Sequence, residues 1–491
     1  MDHAPADNGV APRWPARDQW SAELGAALEI AIDFLSTIND KPVARHVTPA
    51  ELAPRFDEPL PEIGSPPQEI LRDWIERAEP GIVRSAGPRY FGFVTGGSTP
   101  AALAGDWLAS MVDQNAFSWL SSPAAAQTEL TAIRWLLDLF HLPSEWSGVI
   151  TTGATMANLV GLASARQWAS HHLGFDAAGD GLGGHPAISV VSSTEIHQSA
   201  LKALAVLGLG RANITLVPAP GGAVDLDAFD QVLAGIQSPV IVVGNAGEVN
   251  SGAFDNLQGL GERCASHAPG AWLHVDGAFG LYAALSDRHR SYLDGIELAD
   301  SVATDAHKWL NVPYDCGVAF MKDARWSHGA FAGSGAYLQR DAYGTAWNAF
   351  EHLPEFSRRM RALSVWCALR GAGRSGFQEI VERAIANAAT FAAWVEQQPE
   401  LELMATAHLN IVCFRVRPSG RSADPDADNA TAIAAIQNSG LAFVTGTRWH
   451  GRGAIRAAFD NWATGPADVE ALQDAVRLAV ASLQAVDSAA L

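Results

Sequence analysis

ATDAHKWLNVPYDCG, from Ala303 to Gly317, places Lys308 at the end of a short β-branched run and just before a proline turn. The run SVATDA that leads into it has the composition of a strand, so we expect a strand to deliver this lysine to the edge of a sheet. A single lysine at such a position is ordinarily a surface residue. Its partners elsewhere in the chain therefore decide whether it has a function.

Five further β-branched runs precede this segment and alternate with helical patterns. The six runs together are GVITT, AISVVSS, NITLVPA, PVIVVGNA, AWLHVDG and SVATDA. This alternation is typical of βα units and predicts an α/β fold with a mostly parallel sheet. Ligands of such sheets bind at the carboxyl ends of the strands. Polar residues directly after these runs are therefore the candidates for a site.

The two ends of the chain have different patterns and predict further units. SAELGAALEIAIDFLSTI, near the N-terminus, has apolar residues close to a 3.6-residue period and predicts a helix. LNIVCFRV, and the pair LAFVTGTRW and GAIRAAF around a Gly-Arg-Gly turn, predict strands of a small α+β unit. We predict an N-terminal helical segment over residues 1–99, a large domain over 100–363 and a small C-terminal domain over 364–491.

Composition and charge argue against several classes of protein. The 491 residues are 48% hydrophobic and 18% charged, as in soluble globular proteins. Acidic residues number 53 against 33 basic ones, which argues against a nucleic-acid or membrane partner. The four cysteines lie far apart, so we expect neither a disulfide framework nor a metal site. The first residues lack the pattern of a signal peptide, and we expect a cytoplasmic protein.

Three strand ends supply possible partners for Lys308. Asp276 directly follows an apolar run, His197 lies in the turn after another, and Gly153 to Thr155 end a strand and open a helix. Taken singly, each has an ordinary explanation as a turn, cap or helix-start residue. Together they match the needs of pyridoxal phosphate: an amine for a Schiff base, a carboxylate for the ring nitrogen, a ring to stack and a helix N-terminus for the phosphate. We therefore predict this cofactor.

The sequence also resembles the group II pyridoxal phosphate-dependent amino acid decarboxylases, the family of aromatic-L-amino-acid, histidine and glutamate decarboxylases. DAHKWLNVPYDCG resembles the lysine motif of the family, and the segments beginning PRYFGFVTGGSTP and FSRRMRALSVW resemble its entry segment and the segment after its mobile loop. The resemblance covers roughly residues 20 to 480. It implies fold type I: a large domain with a mostly parallel seven-stranded sheet flanked by helices, a small C-terminal α+β domain, and a helical N-terminal dimerisation segment.

The resemblance also implies a role for individual residues. Lys308 matches the Schiff-base lysine, Asp276 the partner of the pyridine nitrogen, and His197 the residue that stacks on the ring. The other matches are His307 before the lysine, Ala154 and Thr155 as the phosphate-binding pair, Thr95 near the substrate carboxylate, and Tyr337 in the mobile catalytic loop. In the family that loop reaches the active site of the partner subunit, so the expected unit is a homodimer with active sites at the subunit interface.

Two places depart from the family pattern. Residues 246–250 stand where many members have a threonine-rich segment that touches the cofactor ring oxygen, and they cannot repeat that contact with the same atoms. Asp305 stands where the family often has asparagine near the phosphate. Because a carboxylate repels a phosphate dianion, we expect Asp305 to turn away and Thr304 to donate to the phosphate instead. These departures leave the substrate open.

The predicted function is decarboxylation of an L-amino acid to an amine and carbon dioxide. Asp276 raises the pKa of the ring nitrogen, so the protonated ring can accept the electrons that the departing carboxylate leaves. Aromatic substrates are favoured, because the entry segment most resembles the aromatic branch. In that segment Phe93, with Phe91, Phe117 and Trp119, offers an apolar substrate wall, and packing at a dimer interface is an equally good interpretation.

Tyr337 lies in AFAGSGAYLQRDAYG, whose glycines and small residues predict a mobile lid. A phenol delivered by such a lid could protonate Cα after carbon dioxide leaves. Two other functions stay open on the sequence alone. One is another fold-type I reaction, by an aminotransferase, aldolase or carbon-carbon lyase. A carboxylate clamp from Arg358, Arg359 or Arg361 would favour transamination. The other is a catalytically inactive binding protein that retains the fold.

Overall fold

The structure is a computed structural model, and it describes residues 20–333, 347–418, 424 and 426–489. The α-helices of these residues are α1 Trp20–Ser36, α2 Pro49–Leu52, α3 Pro67–Ala78, α4 Pro100–Val112, α5 Pro123–Leu139, α6 Ala154–His172, α7 Gln198–Val206, α8 Leu226–Ala234, α9 Leu257–Ser266, α10 Ala324–Phe331, α11 Ala362–Glu396, α12 Ala427–Ser439 and α13 Pro466–Ala489. The strands are β1 Ser147–Thr151, β2 Ser189–Ser193, β3 Ile214–Val217, β4 Val240–Asn245, β5 Ala271–Asp276, β6 Ser301–Asp305, β7 Gly317–Met321, β8 Leu401–Leu403, β9 Ile411–Val416, β10 Thr445–Trp449 and β11 Arg452–Ala458.

The first seven strands form one sheet in the order β1-β7-β6-β5-β4-β2-β3. Strands β2 to β6 pair in parallel, and β7 runs antiparallel between β6 and β1, so six of the seven strands share one direction. The α/β class and the mostly parallel seven-stranded sheet are confirmed. All six predicted runs are strands, and the seventh strand is the run directly after the lysine segment.

The parallel strands end together at the edge of the sheet where the lysine segment begins. β4, β5 and β6 are almost completely buried, as expected for strands covered by helices on both faces. In the register of β5 and β6, Asp276 pairs with Ala303, so β6 continues for two more residues to Asp305. The two aspartates therefore end neighbouring strands at slightly different heights.

The C-terminal part of the chain contains the second sheet, which has the order β10-β11-β9-β8 and only antiparallel pairs. The hairpin predicted around the Gly-Arg-Gly turn is β10 and β11. The long helix α11 connects the two sheets and is interrupted at Gly373, where φ is +63°. Because α11 begins at Ala362, the predicted boundary at residue 363 falls inside its first turn. The three-domain division stays a prediction.

Helix α1 leaves most of its apolar side chains uncovered. Ala26 is its one buried residue. Large apolar side chains at a four-residue spacing, Trp20, Leu24, Leu28 and Ile32, are between 48% and 69% exposed. Such a face is stable in water only when another surface covers it. In the described part of the chain, no helix has the length and apolarity needed to cross a membrane.

Candidate active site

A cavity of about 300 Å³ lies between the ends of the large sheet and the C-terminal sheet. Its walls are formed by Ser85, Tyr90, Phe93, Val94, Thr95, His197, Val249, His307, Lys308, Tyr314 and Arg456. Five of these residues were predicted from the sequence as site residues: Phe93, Thr95, His197, His307 and Lys308. The fold thus brings together residues that are separated by more than two hundred positions along the chain.

Lys308 lies in the turn after β6 and pairs with Asp305, which contacts the first turn of α6. Its Nζ is 3.2 Å from Asp305 Oδ2, and the side chain is 14% exposed. Helix α6 begins after Gly153, whose φ of +143° is one that residues with a side chain rarely adopt. The first backbone N–H of the helix, that of Ala154, donates to Asp305 Oδ1 at 2.5 Å. The helix N-terminus predicted to hold a phosphate therefore holds a carboxylate.

The expectation that Asp305 turns away from this helix is wrong. The carboxylate is 4% exposed and is held by the helix N–H and by Lys308. The hydroxyl of Thr304 donates to the carbonyl of Gly277 at 3.0 Å, so its hydrogen is not directed to the helix N-terminus. The positive end of the helix and the lysine attract the carboxylate, an attraction that the repulsion between two anions does not include.

Asp276 is held by neutral donors at the opposite end of the site. Asn158 Nδ2 donates to Oδ2 at 2.8 Å, and the N–H of Ala278 donates to Oδ1 at 3.1 Å. Ser199 Oγ lies 3.4 Å from Oδ2. The carboxylate is 5% exposed. None of these three contacts neutralises its charge, so Asp276 can hold a cation or a protonated nitrogen.

A buried histidine orients the asparagine that holds Asp276. His274 Nε2 lies 2.9 Å from Asn158 Oδ1, and its Nδ1 lies 2.8 Å from Ser301 Oγ. Burial lowers the pKa of His274 to about 4, so the ring is neutral and can donate from Nε2. That donation directs the amide NH₂ of Asn158 to the carboxylate. The sequence analysis missed this network, although Asn158 lies one helical turn after the predicted phosphate loop.

His197 caps helix α7 and forms part of the cavity wall. Its Nδ1 accepts from the N–H of Ser199 at 3.2 Å and lies 2.7 Å from the hydroxyl of that serine. The walls shield the ring partly from water, and this desolvation, assisted by the charge of Lys308, lowers the pKa of His197. The cap explanation and the functional explanation of this histidine are therefore compatible: the cap fixes a neutral ring at the cavity surface.

Thr95, Tyr314 and His307 form the wall on the side of the lysine segment. The hydroxyls of Thr95 and Tyr314 are 3.0 Å apart, and the ring of Tyr314 lies 4.3 Å from that of His307 between centroids. Partial shielding of its hydroxyl raises the pKa of Tyr314, so the phenol keeps its proton. Burial lowers the pKa of His307, whose Nδ1 lies 3.1 Å from the carbonyl of Cys316. Tyr314 was not predicted as a site residue.

Arg456, inside β11, and Asp460, just after it, were also missed by the sequence analysis. Arg456 lines the cavity, and its Nη1 donates to the carbonyl of Val249 at 3.1 Å. Within the described residues, Arg456 Nε and Asp460 Oδ2 have no hydrogen-bond partner. Burial lowers the pKa of Arg456 and raises that of Asp460 to about 7. Arg456 lies inside β11 of the second sheet, so it was not among the polar residues at the ends of the predicted parallel strands.

The three arginines considered as a carboxylate clamp are paired elsewhere. Arg358 is buried against Glu129, with Nη1–Oε2 and Nη2–Oε1 distances of 2.8 and 3.0 Å. Arg359 pairs with Asp106 at 2.8 Å, and Arg361 with Asp315 at 2.8 Å. None of the three lines the cavity. They stabilise the packing around α4, α5 and the lysine segment.

The divergent segment 246–250 folds around the buried carboxylate of Glu248. The backbone N–H groups of Asn250 and Ser251 donate to it at 2.7 to 2.9 Å, as does the hydroxyl of Ser251. Of this segment, Val249 reaches the cavity wall. The structure therefore offers an apolar side chain and a carbonyl where the family pattern has a threonine.

Pyridoxal phosphate fits this arrangement at its ring end. Lys308 and the neutral ring of His197 line the cavity, and Asp276, a carboxylate held by neutral donors, is linked to His197 through the hydroxyl of Ser199, as this cofactor requires. At the phosphate end, Ala154 supplies the expected N–H, but Asp305 accepts its hydrogen bond. Thr155 is exposed in the first turn of α6. Tyr337 lies outside the described residues.

Comparison with known proteins gives a consistent result. Residues 49–417 match the model of the pyridoxal-dependent decarboxylase conserved domain. Tryptophan decarboxylase 1 of Oryza sativa subsp. japonica is 28% identical over 468 residues, which cover 90% of each chain. Histidine decarboxylase of Drosophila melanogaster is 31% identical over 402 residues, which cover 78% of this chain and 47% of that protein. The crystal structure of Oryza sativa TDC with PLP and tryptamine superposes with a TM-score of 0.88 at 25% identity, covering 96% of this chain and 100% of that chain.

Proposed function

This chain belongs to the pyridoxal-dependent decarboxylase family, and we propose that it converts an aromatic L-amino acid to the corresponding amine and carbon dioxide. The enzyme class and the cofactor follow from the family. The aromatic substrate is supported chiefly by one observation: the cavity beside Lys308 is walled by Tyr90, Phe93 and Tyr314. Aromatic walls favour a flat apolar side chain, because stacked or edge-on rings bury much area. The tryptophan decarboxylase of rice is a relative with such a substrate.

The residues at the ring end would supply binding and charge. When bound, pyridoxal phosphate supplies an aldehyde and an electron-accepting ring. Lys308 would provide the amine that binds the aldehyde, and His197 would cover one face of the ring. Asp276, held by Asn158 and Ala278, would keep a proton on the ring nitrogen, because its own charge is not neutralised.

The substrate carboxylate would contact the guanidinium of Arg456, which is already partly hydrogen-bonded within the protein. Arg456 is buried, and its Nη1 already donates to Val249. A fully paired carboxylate would be stabilised in the ground state, which slows its loss as carbon dioxide. Because one of its N–H groups is already used by Val249, the guanidinium of Arg456 can orient the carboxylate without such a tight clamp. We therefore assign Arg456 to positioning of the substrate.

A screen of the purified enzyme with pyridoxal phosphate and the twenty amino acids tests the substrate. We expect amine and carbon dioxide in equal amounts from tryptophan, tyrosine or phenylalanine, and much less from glutamate or aspartate. Addition of a keto acid should not change the products, since a transaminase would need that acceptor and a decarboxylase does not. Amine formation from glutamate alone would contradict the aromatic substrate and leave the family assignment intact.

We also propose a homodimer, with α1 in the interface and the active sites at the subunit boundary. The exposed face of Trp20, Leu24, Leu28 and Ile32 on α1 supports this, as do the exposed Leu108 and Met111 on α4. A second copy of the chain would cover both. A cytoplasmic location is proposed on the sequence grounds given above.

Sedimentation of a charged variant of α1 tests the homodimer. Leu24→Glu combined with Leu28→Glu should give a monomer, whereas Ala22→Glu, which adds a charge at an exposed position on another face of the same helix, should remain a dimer. If the double variant sediments as a dimer with unchanged activity, α1 lies outside the interface.

A further inference from the structure

The carboxylate of Asp305 occupies the anion position at the N-terminus of α6. Oδ1 accepts the first N–H of the helix at 2.5 Å, and Oδ2 pairs with Lys308 at 3.2 Å. The phosphate of the cofactor would need the same N–H and the same positive helix end. This competition rests on the cofactor of the family and not on the aromatic substrate proposed above.

Asp305 has little room to leave this position. Its own N–H donates to the carbonyl of Ala278 at 3.0 Å, and its carbonyl accepts from the hydroxyl of Tyr282 at 3.0 Å. Its side chain contacts Gly153, where a Cβ would lie 3.4 Å from Oδ1. With the backbone held on both sides and the side chain buried, the carboxyl group stays next to whatever binds at the helix.

Among the residues that the structure describes, the charged and titratable groups that face Asp305 include one strong cation. They are His307, Lys308, Tyr314 and Cys316 from its own segment, Tyr282 from the turn after β5, and His197 from α7. Desolvation favours the neutral form of both histidines, and the tyrosines and the cysteine are neutral near pH 7. Lys308 is the remaining partner, and its amine is needed for the cofactor aldehyde. The bound phosphate would therefore face Asp305 without a further cation between them.

We propose that Asp305 takes up a proton when the cofactor phosphate binds, so that its carboxyl group donates a hydrogen bond to the phosphate. In the protonated form it offers a donor where related proteins often have the amide of asparagine. In the structure, the carboxylate is paired with Lys308. Cofactor binding is then coupled to the uptake of one proton, and affinity falls as pH rises because the proton becomes scarcer.

The test compares pyridoxal phosphate with pyridoxal, which lacks the phosphate. Dissociation constants of both are measured by cofactor absorbance on the cofactor-free full-length protein at pH 6.5, 7.5 and 8.5. The ratio of the pyridoxal constant to the pyridoxal phosphate constant reports the contribution of the phosphate. Pyridoxal also forms a cyclic hemiacetal with its own hydroxyl group, which weakens its binding equally in the parent protein and its variants and so cancels when they are compared. In the parent protein this ratio should fall about tenfold per pH unit, as expected for one coupled proton.

Asp305→Asn is the critical variant, because it keeps the shape and carries no charge. In this variant, the ratio of the pyridoxal constant to the pyridoxal phosphate constant should vary less with pH. At pH 8.5 it should exceed the ratio of the parent protein by about tenfold or more, because no proton has to be taken up. Asp315→Asn, which removes a charge from the same segment where it pairs with Arg361, is the matched control and should follow the parent protein. Protonation of the phosphate itself adds the same pH dependence to the ratio in all three proteins, so it cancels in the comparison.

Calorimetry of the parent protein in two buffers of different ionisation enthalpy provides a second test that needs no variant. Pyridoxal phosphate should take up about one proton more than pyridoxal. Equal proton uptake for the two ligands, or an Asp305→Asn ratio that matches the parent at every pH, would overturn the proposal. Amine formation is measured separately, so failure of the aromatic substrate would not be confused with either result.

Discussion

Asp276 and Asp305 end neighbouring strands of one sheet, yet their surroundings assign them opposite tasks. Asp276 is held by the amide of Asn158 and the N–H of Ala278, which are neutral, and its charge stays available. Asp305 is held by a helix N-terminus and by the ammonium of Lys308, which neutralise it. Neutral donors thus leave the charge of Asp276 available to a ligand, whereas the charge of Asp305 is already paired within the protein. The predictions below probe this difference.

The largest effect is expected for Lys308, the residue that pairs with Asp305. Lys308→Ala removes the amine that lines the cavity and should lower turnover by on the order of 10⁴-fold or more. In the parent protein, borohydride should fix the cofactor to Lys308, as mapped by mass spectrometry. Lys202→Ala, an exposed lysine on α7, is the control and should leave both results unchanged. A reduced adduct on another lysine would contradict this assignment.

Exchange of each aspartate for asparagine contrasts the two ends directly. Asp276→Asn should lower kcat by about 100- to 5,000-fold, equivalent to roughly 3 to 5 kcal/mol, because a neutral amide cannot hold the ring nitrogen protonated. Asp305→Asn, measured at saturating cofactor, should keep kcat within about tenfold of the parent protein. Similar losses in the two variants would show that both aspartates supply a permanent charge.

A variant of Asn158 tests whether the neutral donors that hold Asp276 matter for catalysis. Asn158→Ala removes the donor to Asp276 Oδ2 and leaves the carboxylate less well oriented. A hydrogen bond to a charged group contributes about 1.5 to 3 kcal/mol, so kcat should fall roughly 10- to 150-fold with the fold retained. Asn213→Ala, on a surface turn away from the cavity, should leave kcat unchanged. Rapid-quench measurement of carbon dioxide release distinguishes the chemical step from product release.

Variants of two tyrosines, Tyr337 and Tyr314, distinguish proton delivery to Cα from packing of the cavity wall beside the lysine segment. Tyr337→Phe should still release carbon dioxide but give less amine, with aldehyde formation and oxygen consumption, if this phenol protonates Cα. Tyr314→Phe removes one hydrogen bond to Thr95 and should lower kcat/KM by about 2- to 10-fold with unchanged products. Product analysis by chromatography checks both. Aldehyde formation by Tyr314→Phe alone would transfer the role of proton donor to Tyr314.

The smallest effect concerns the stability of the cofactor-free protein. Asp305→Asn should lower the free energy of unfolding by about 1 kcal/mol, because asparagine still accepts from the helix N–H but no longer pairs with Lys308. Urea denaturation followed by circular dichroism checks this. An increase in stability would mean that the pair of Asp305 and Lys308 costs more in desolvation than it contributes.

Much of the fold was predictable because β-branched runs alternate with helical patterns. The six predicted strands, the hairpin of β10 and β11 and the start of α6 are local features, set by side-chain period and turn residues. The order of the strands is not local: the family resemblance implied seven strands, but neither the position of β7 between β1 and β6 nor its antiparallel direction was predicted. Register and order depend on which faces are buried, which a linear pattern does not contain.

By itself, the sequence determined the residue types that end the strands: Lys308, Asp276, His197 and the Gly-Ala-Thr turn, which together predict the cofactor. Tertiary structure decided what each of them contacts. It directed Asp305 into the helix N-terminus, placed Asn158 and His274 behind Asp276, and brought Arg456 from the second sheet to the cavity wall. The physical reason is that a side chain's charge and conformation follow from its nearest partners. Those partners are set by packing between distant segments and not by neighbours along the chain.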